Sequence, residues 1–260
     1  LLSSPFVFAY PWGAGGFGAK YADPATLPVN NGNGAAFSPT GTEVAVTHLS
    51  APSVSVYPWL PGFGAKYANP ATAIPASGIG VAFTTVGPAI AIAASGGSSQ
   101  FSAYPWNPGF GAKYADAVGY PGGTAWDVNF RSSGADIGVT VAVNPGVVAY
   151  PWLPGFGTKY ADPATLPSGN VFGVAFTPAG TSIATIAAVS PYSNAYPWNP
   201  GFGAKYADPA VLPITGDSPD LSDVMFSAAG TSIAFAVSAS PFVPAYPWHP
   251  GFGAKYADPA

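Results

Sequence analysis

The chain is 260 residues long, 48% hydrophobic and 15% aromatic, with a net charge of −4. Seven Lys and Arg are too few to cover a run of phosphates, which excludes a nucleic-acid partner. The absence of cysteine excludes disulfides and thiolate metal sites, and no apolar run is long enough for a membrane-spanning helix.

The triplet Tyr-Pro-Trp begins at Tyr10, Tyr57, Tyr104, Tyr150, Tyr196 and Tyr246, at spacings of 47, 47, 46, 46 and 50 residues. Pro-Gly-Phe-Gly-Ala-Lys-Tyr, or a close variant, follows each copy. A fixed period of about 40–50 residues marks one supersecondary unit repeated along the chain. A unit of that size buries little core alone, so the copies must cover one another. Within a single domain, 1–260, residues 1–33 read as a partial unit, and complete units follow at 34–79, 80–126, 127–172, 173–222 and 223–260. The sequence opens at Leu1 rather than Met and stops at Ala260 inside the motif, and both ends are expected to be cut.

Each complete unit predicts four strands, A to D. The A strands centre on Phe37, Phe83, Phe130, Phe176 and Phe226. In the clearest copy, Val174-Ala175-Phe176 ends at a Pro- and Gly-bearing turn, Thr177–Thr181. Ser182–Ala188 is small and β-branched, which suits a B strand buried on both faces. Ser190-Pro191 turns the chain into strand C, Ser193–Trp198, and Asn199-Pro200-Gly201 is a hairpin signal. Phe202–Tyr206 alternates, with Phe202, Ala204 and Tyr206 on one side, and is expected as strand D. Residues 1–33 hold only the C–D hairpin.

No apolar stripe of helical period runs for ten residues, and Pro and Gly interrupt every segment. The chain is therefore expected to be all-β, a β-propeller of four-stranded antiparallel blades. Six C strands against five A strands favour six blades, with five as the alternative.

The segments Ala36–His48 and Ser53–Tyr57, together with Phe17–Pro28, resemble WD40-like propeller repeats of the kind found in virion structural proteins of tailed bacteriophages and prophages. Tyr-Pro-Trp stands where a WD40 repeat ends strand C with Trp-Asp. The resemblance implies a propeller fold, a structural role, and a place in a virion or outside the cell.

Groups able to do chemistry are sparse. His48 and His249 are the two histidines, at non-equivalent positions, and are expected at strand ends or in exposed loops. Glu43 is the sole glutamate and Arg131 the sole arginine, against the paired carboxylates a glycosidase requires. No catalytic residue and no cofactor are expected. Lys20, Lys66, Lys113, Lys159, Lys205 and Lys255 recur on strand D, mostly with an Asp three residues on. They read either as one ligand site per blade or, preferably, as an edge strand guarded by Lys with Asp at the turn.

Trp12, Trp59, Trp106, Trp152, Trp198 and Trp248 offer aromatic platforms for sugar rings, or else fill the space between blades. The divergent stretch 117–146 introduces Trp126, Asp127, Arg131 and Asp136, and breaks the symmetry of the ring as a single docking contact requires. The longer link 214–223 carries Asp217, Asp220 and Asp223, weak candidates for Ca²⁺ because their spacing matches no EF-hand. The expected function is a non-enzymatic structural or adhesive module of a phage virion (tail, fibre or capsid decoration). It would contact other virion or extracellular proteins or a host-surface glycan, with no membrane insertion and with homo-oligomerisation possible inside a larger assembly. The alternative is a secreted multivalent lectin with one weak glycan site per blade.

Overall fold

The computed structural model describes residues 3–74, 77–84, 86–96, 100–213, 221–238 and 240–258. By internal contacts the chain divides into two compact units, Leu1–Tyr114 and Ala115–Ala260.

In the first unit a short hairpin joins β1 (Trp12–Gly13) and β2 (Gly16–Phe17). Two three-stranded antiparallel sheets follow: β3 (Gly32–Phe37), β4 (Glu43–His48) and β5 (Val54–Pro58), then β6 (Ser77–Thr84), β7 (Ala89–Ser95) and β8 (Phe101–Pro105). The second unit holds three more sheets. They are β9 (Ala125–Phe130), β10 (Asp136–Val141) and β11 (Val147–Pro151); β12 (Val171–Phe176), β13 (Ser182–Ala187) and β14 (Ser193–Pro197); and β15 (Leu221–Phe226), β16 (Ser232–Val237) and β17 (Ala245–Pro247). In each three-stranded sheet the second strand lies in the middle, and the described residues contain no helix. The chain is all-β and a β-propeller-like repeat protein.

The middle strands account for the packing. β4, β7 and β13 are rich in small and β-branched residues and are buried on both faces. Within the second unit Ala184 and Ile186 of β13 pack against Val224, Ile233, Phe235 and Val237 of the following sheet. In the first unit Ala45, Val54 and Val56 meet Val81, Ile90 and Ile92 in the same way. β16 differs, because its burial alternates: Ile233, Phe235 and Val237 are inside while Ser232, Ala234 and Ala236 are only half-buried.

First strands of successive sheets approach closely, and glycine permits it. A Cβ on Gly34 would stand 2.5 Å from the Ile79 carbonyl oxygen, and one on Gly173 would stand 2.9 Å from the Asp223 Cα. Thr47 Oγ1 donates to the Ile79 carbonyl at 2.6 Å, and Thr140 Oγ1 to that of Phe172 at 3.1 Å, which ties the first sheet of each unit to the second.

The segment expected as strand D is not a regular strand. Trp198 and Phe202 form an isolated bridge, Gly203 N donates to Pro197 O at 2.8 Å, and Tyr206 N donates to Ala195 O at 2.9 Å. The reason lies in the Tyr-Pro-Trp triplet. Pro197 has no N–H to give, so the ladder cannot run through that position. Its ring also lies 3.0 Å from where a Gly203 Cβ would be, so glycine is what lets the segment pass this close. Each repeat is thus three strands and a tethered fourth segment.

Candidate functional site

The Tyr-Pro-Trp turns build one repeated constellation. At the end of β14 the Trp198 N–H donates to Thr181 O at 2.8 Å, and the Asn199 N–H to Gly201 O at 3.3 Å. Gly201 takes a φ of 109°, which a side chain would resist. This geometry lays the Trp198 indole among three rings: Phe202 from its own turn at 5.1 Å, Phe176 from its own first strand at 5.2 Å, and Tyr160 from the preceding repeat at 5.3 Å. All three contacts are edge-to-face. Trp59 meets Tyr21, Phe37 and Phe63; Trp106 meets Tyr67, Phe83 and Phe110; Trp248 meets Tyr206, Phe226 and Phe252. Trp152 meets Phe130 and Phe156. Each such contact contributes about 0.5–1.5 kcal/mol beyond its buried area.

Most of these tryptophans pack inside the protein. Trp106, Trp152, Trp198 and Trp248 are buried and Trp59 is half-buried, so their faces are used by neighbouring rings. Trp12 alone of the six is open, at 73% exposure.

The triplet tyrosines make a second repeated contact. Tyr57, Tyr104, Tyr196 and Tyr246 donate their hydroxyls to the carbonyls of Thr26, Thr72, Thr165 and Val211, each in the link that precedes its own repeat.

The divergent stretch centres on Asp136, at the start of β10 and 1% exposed. Its Oδ1 accepts from Tyr160 Oη at 2.7 Å, and its Oδ2 accepts from Arg131 Nη1 and Trp198 Nε1, each at 3.1 Å. Burial and the Asp136 carboxylate both push the Tyr160 phenol well above its ordinary value. Glu43, Ser182 and Ser232 occupy the same repeat position. The Ser182 and Ser232 hydroxyls lie 3.3 and 3.2 Å from the Tyr206 and Tyr256 hydroxyls. The longer Glu43 side chain accepts from Thr42 Oγ1 at 2.9 Å, and the buried Trp106 Nε1 finds no acceptor among the described residues.

Trp126, Asp127 and Arg131 are each engaged by the sheet that follows. Trp126 sits edge-on to Phe172 at 5.2 Å. Arg131 lies beneath the turn at Gly180, where a Cβ would come within 2.2 Å of Nε. Asp127 is half-buried and accepts from the Val174 N–H at 3.0 Å. Burial, and then the charge of Asp223, push the Asp127 carboxyl up to about 7.

Of the three link acids, Asp217 and Asp220 lie outside the described residues. Asp223 accepts from the Val224 N–H at 2.7 Å, and burial raises its carboxyl. No group of three or more His, Asp and Glu side chains is disposed to hold a metal among the described residues. The recurrent lysines are answered locally: Lys20 meets Asp23 at 2.6 Å, Lys159, Lys205 and Lys255 pair with Asp162, Asp208 and Asp258, and Lys66 donates to Asn69. His249 is exposed, whereas His48 is completely buried at the end of β4, with Nε2 3.1 Å from Ser55 Oγ. Its ring fills the strand end against β5, and burial lowers its pKa.

What the repeat leaves open is the apex of each Trp-x-Pro-Gly turn. Its occupants are Leu60, Asn107, Leu153, Asn199 and His249, all exposed on one backbone pattern. Leu60 and Leu153 are 76% and 73% exposed. Beside Asn199 lies a shallow cleft of about 370 Å³, bounded by Tyr160, Pro197, Pro200 and Phe202. No protein-family model matches the chain, and no curated protein matches it.

Proposed function

We propose that the chain is a non-enzymatic structural or adhesive module, a WD40-like β-propeller of the kind carried by tailed-phage virions, acting on the particle or outside the cell. Its repeats are read as blades, six favoured and five the alternative, with the tethered fourth segment as the outer edge of each. Its partners are other virion or extracellular proteins or a host-surface glycan.

The observation that carries this reading is the turn apex. The same aromatic scaffold presents a different exposed side chain from one repeat to the next, with apolar Leu60 and Leu153 open to solvent. Fixed scaffold and variable tip suit contact with a larger surface. Two-dimensional class averages of the purified protein count the blades: five or six lobes around a centre support the propeller, and an extended row of sheets overturns it. Pull-down from phage lysate, with Leu60→Ser and Leu153→Ser as controls, tests the contact surface.

The cleft beside Tyr160 and Asn199 favours a second reading, the multivalent lectin. Aromatic and proline faces with one amide side chain suit a weakly held sugar ring, and repetition would raise avidity. Glycan-array binding that Asn199→Ala weakens supports the lectin; an array blank at high protein concentration removes it.

A further inference from the structure

Three residues before the phenylalanine of each first strand stand Gly34, Gly80, Asp127, Gly173 and Asp223. Both acids belong to the second unit, on β9 and β15, and the glycine between them in sequence is on β12, which neighbours both strands. A Cβ on Gly173 would stand 2.9 Å from Asp223 Cα and 3.0 Å from Val224 N, so Asp223 is pressed against that glycine. From β9 the Asp127 carboxylate accepts the N–H of the next residue, Val174, at 3.0 Å. Gly173 thus lies beside both acids and puts no side chain between them.

We infer that Asp127 and Asp223 share one proton across Gly173, and that this proton keeps β9, β12 and β15 closely packed, as a pH-sensitive latch between consecutive repeats.

The cations of this unit are engaged elsewhere. Arg131 pairs with Asp136, and Lys159, Lys205 and Lys255 pair with Asp162, Asp208 and Asp258. β12, β13 and β16 carry no titratable side chain. β10 carries Asp136, which Arg131 holds, and Thr140, whose hydroxyl accepts the Asp127 N–H at 2.9 Å. Burial, and then the charge of Asp223, raise the Asp127 carboxyl, and burial raises that of Asp223. Two carboxylates at one place do not both ionise freely, and a coupled pair titrates as a unit. Each spends an oxygen on a backbone amide, Asp127 on Val174 and Asp223 on Val224 at 2.7 Å, and a carboxylate has lone pairs left for a shared proton. Asp223 is exposed, which gives the proton a path to water. Loss of that proton sets like charges on strands that glycine has brought together, and salt screens such partly buried charges weakly.

The test is an NMR titration of the aspartate carboxyl carbons in the full chain, from acid to alkaline pH, with wild type, Asp127→Asn and Asp223→Asn. In wild type the two carboxyls should titrate in linked steps. Asp223→Asn should lower the proton affinity of Asp127 by about tenfold or more, and Asp127→Asn should do the same to Asp223. An Asp127 titration that Asp223→Asn leaves in place overturns the inference, because burial alone then accounts for it. A titration that millimolar calcium displaces as far overturns it too, and makes the pair a cation site. Hydrogen exchange, corrected for intrinsic rates, reads the latch itself. As pH passes the titration, amides of β12 and β15 should lose protection in wild type and keep it in the double variant Asp127→Asn/Asp223→Asn. Wild-type protection that stays level, or a double variant that loses as much, overturns the latch. Asp223→Asn, on the solvent side, decides the outcome alone if Asp127→Asn fails to fold.

Discussion

Trp198 donates its indole N–H to the carboxylate of Asp136, 62 residues earlier and one repeat back, at 3.1 Å. The same carboxylate holds Tyr160 and Arg131. A charge this deeply buried persists because three donors satisfy it, and removing it strands all three. Asp136→Ala should therefore destabilise the protein by about 3 kcal/mol, read from the midpoint of a urea transition.

The next repeat resolves the same position without charge, placing Thr177 and Ser182 where Arg131 and Asp136 stand. Thr177 Oγ1 accepts the Ser182 N–H at 3.1 Å. Arg131→Thr combined with Asp136→Ser should accordingly be more stable than Asp136→Ser alone, because no guanidinium is left unpaired. A double-mutant cycle in urea should give a coupling of about 1–2 kcal/mol; an additive result contradicts it.

Equivalent tryptophans should differ sharply in worth. Trp198→Ala empties a site ringed by three aromatics and should cost about 3–5 kcal/mol. Trp12→Ala, at an open site, should change monomer stability by less than about 0.5 kcal/mol. Thermal melts of the two variants side by side decide it.

Asp127 predicts an unusual pH dependence. Its carboxyl titrates near 7 in the folded chain and near 3.8 in the unfolded one. Between those values the folded state carries the extra proton, so this group's contribution falls as pH rises from about 4 to about 7. Asp127→Asn should abolish that slope and stabilise the protein at pH 8 by roughly 1–2 kcal/mol, discounted for partial exposure. Urea midpoints at pH 5 and pH 8 measure it.

His48 has the opposite sign. Burial lowers its pKa, so the unfolded chain takes up a proton near 6.5 that the folded chain refuses. Stability from this site is complete above that pH and declines below it. His48→Asn should flatten the decline between pH 6.5 and 5, seen in the same midpoints.

Much of the fold was readable from the repeats. Ser182–Ala188 predicted a strand buried on both faces, and β13 is one, because a run without polar alternation leaves neither face for water. The alternation in Phe202–Tyr206 misled, since it records which residues face the aromatic cage and not a ladder; the proline in Tyr-Pro-Trp was the warning. The packing role of the tryptophans was legible, because an identical residue in every unit fits an identical gap. Asp136 as the hub was not legible, for its donors come from three separate segments. One signal existed: Arg131 and Asp136 are five residues apart, as are Thr177 and Ser182, across the same turn. His48 stands at a strand end, as expected, but its complete burial was not legible, because a single polar residue there gives no hint of what packs around it.

The stereotyped cage also bears on inheritance. Since Trp59, Trp106, Trp198 and Trp248 each meet a tyrosine of fixed position in the repeat before, recombination between such copies joins like to like. A gene of this kind can gain or shed whole periods while its product meets no unfamiliar seam. Spacings from 46 to 50 residues, absorbed in the links, already mark how much slack such exchanges are allowed.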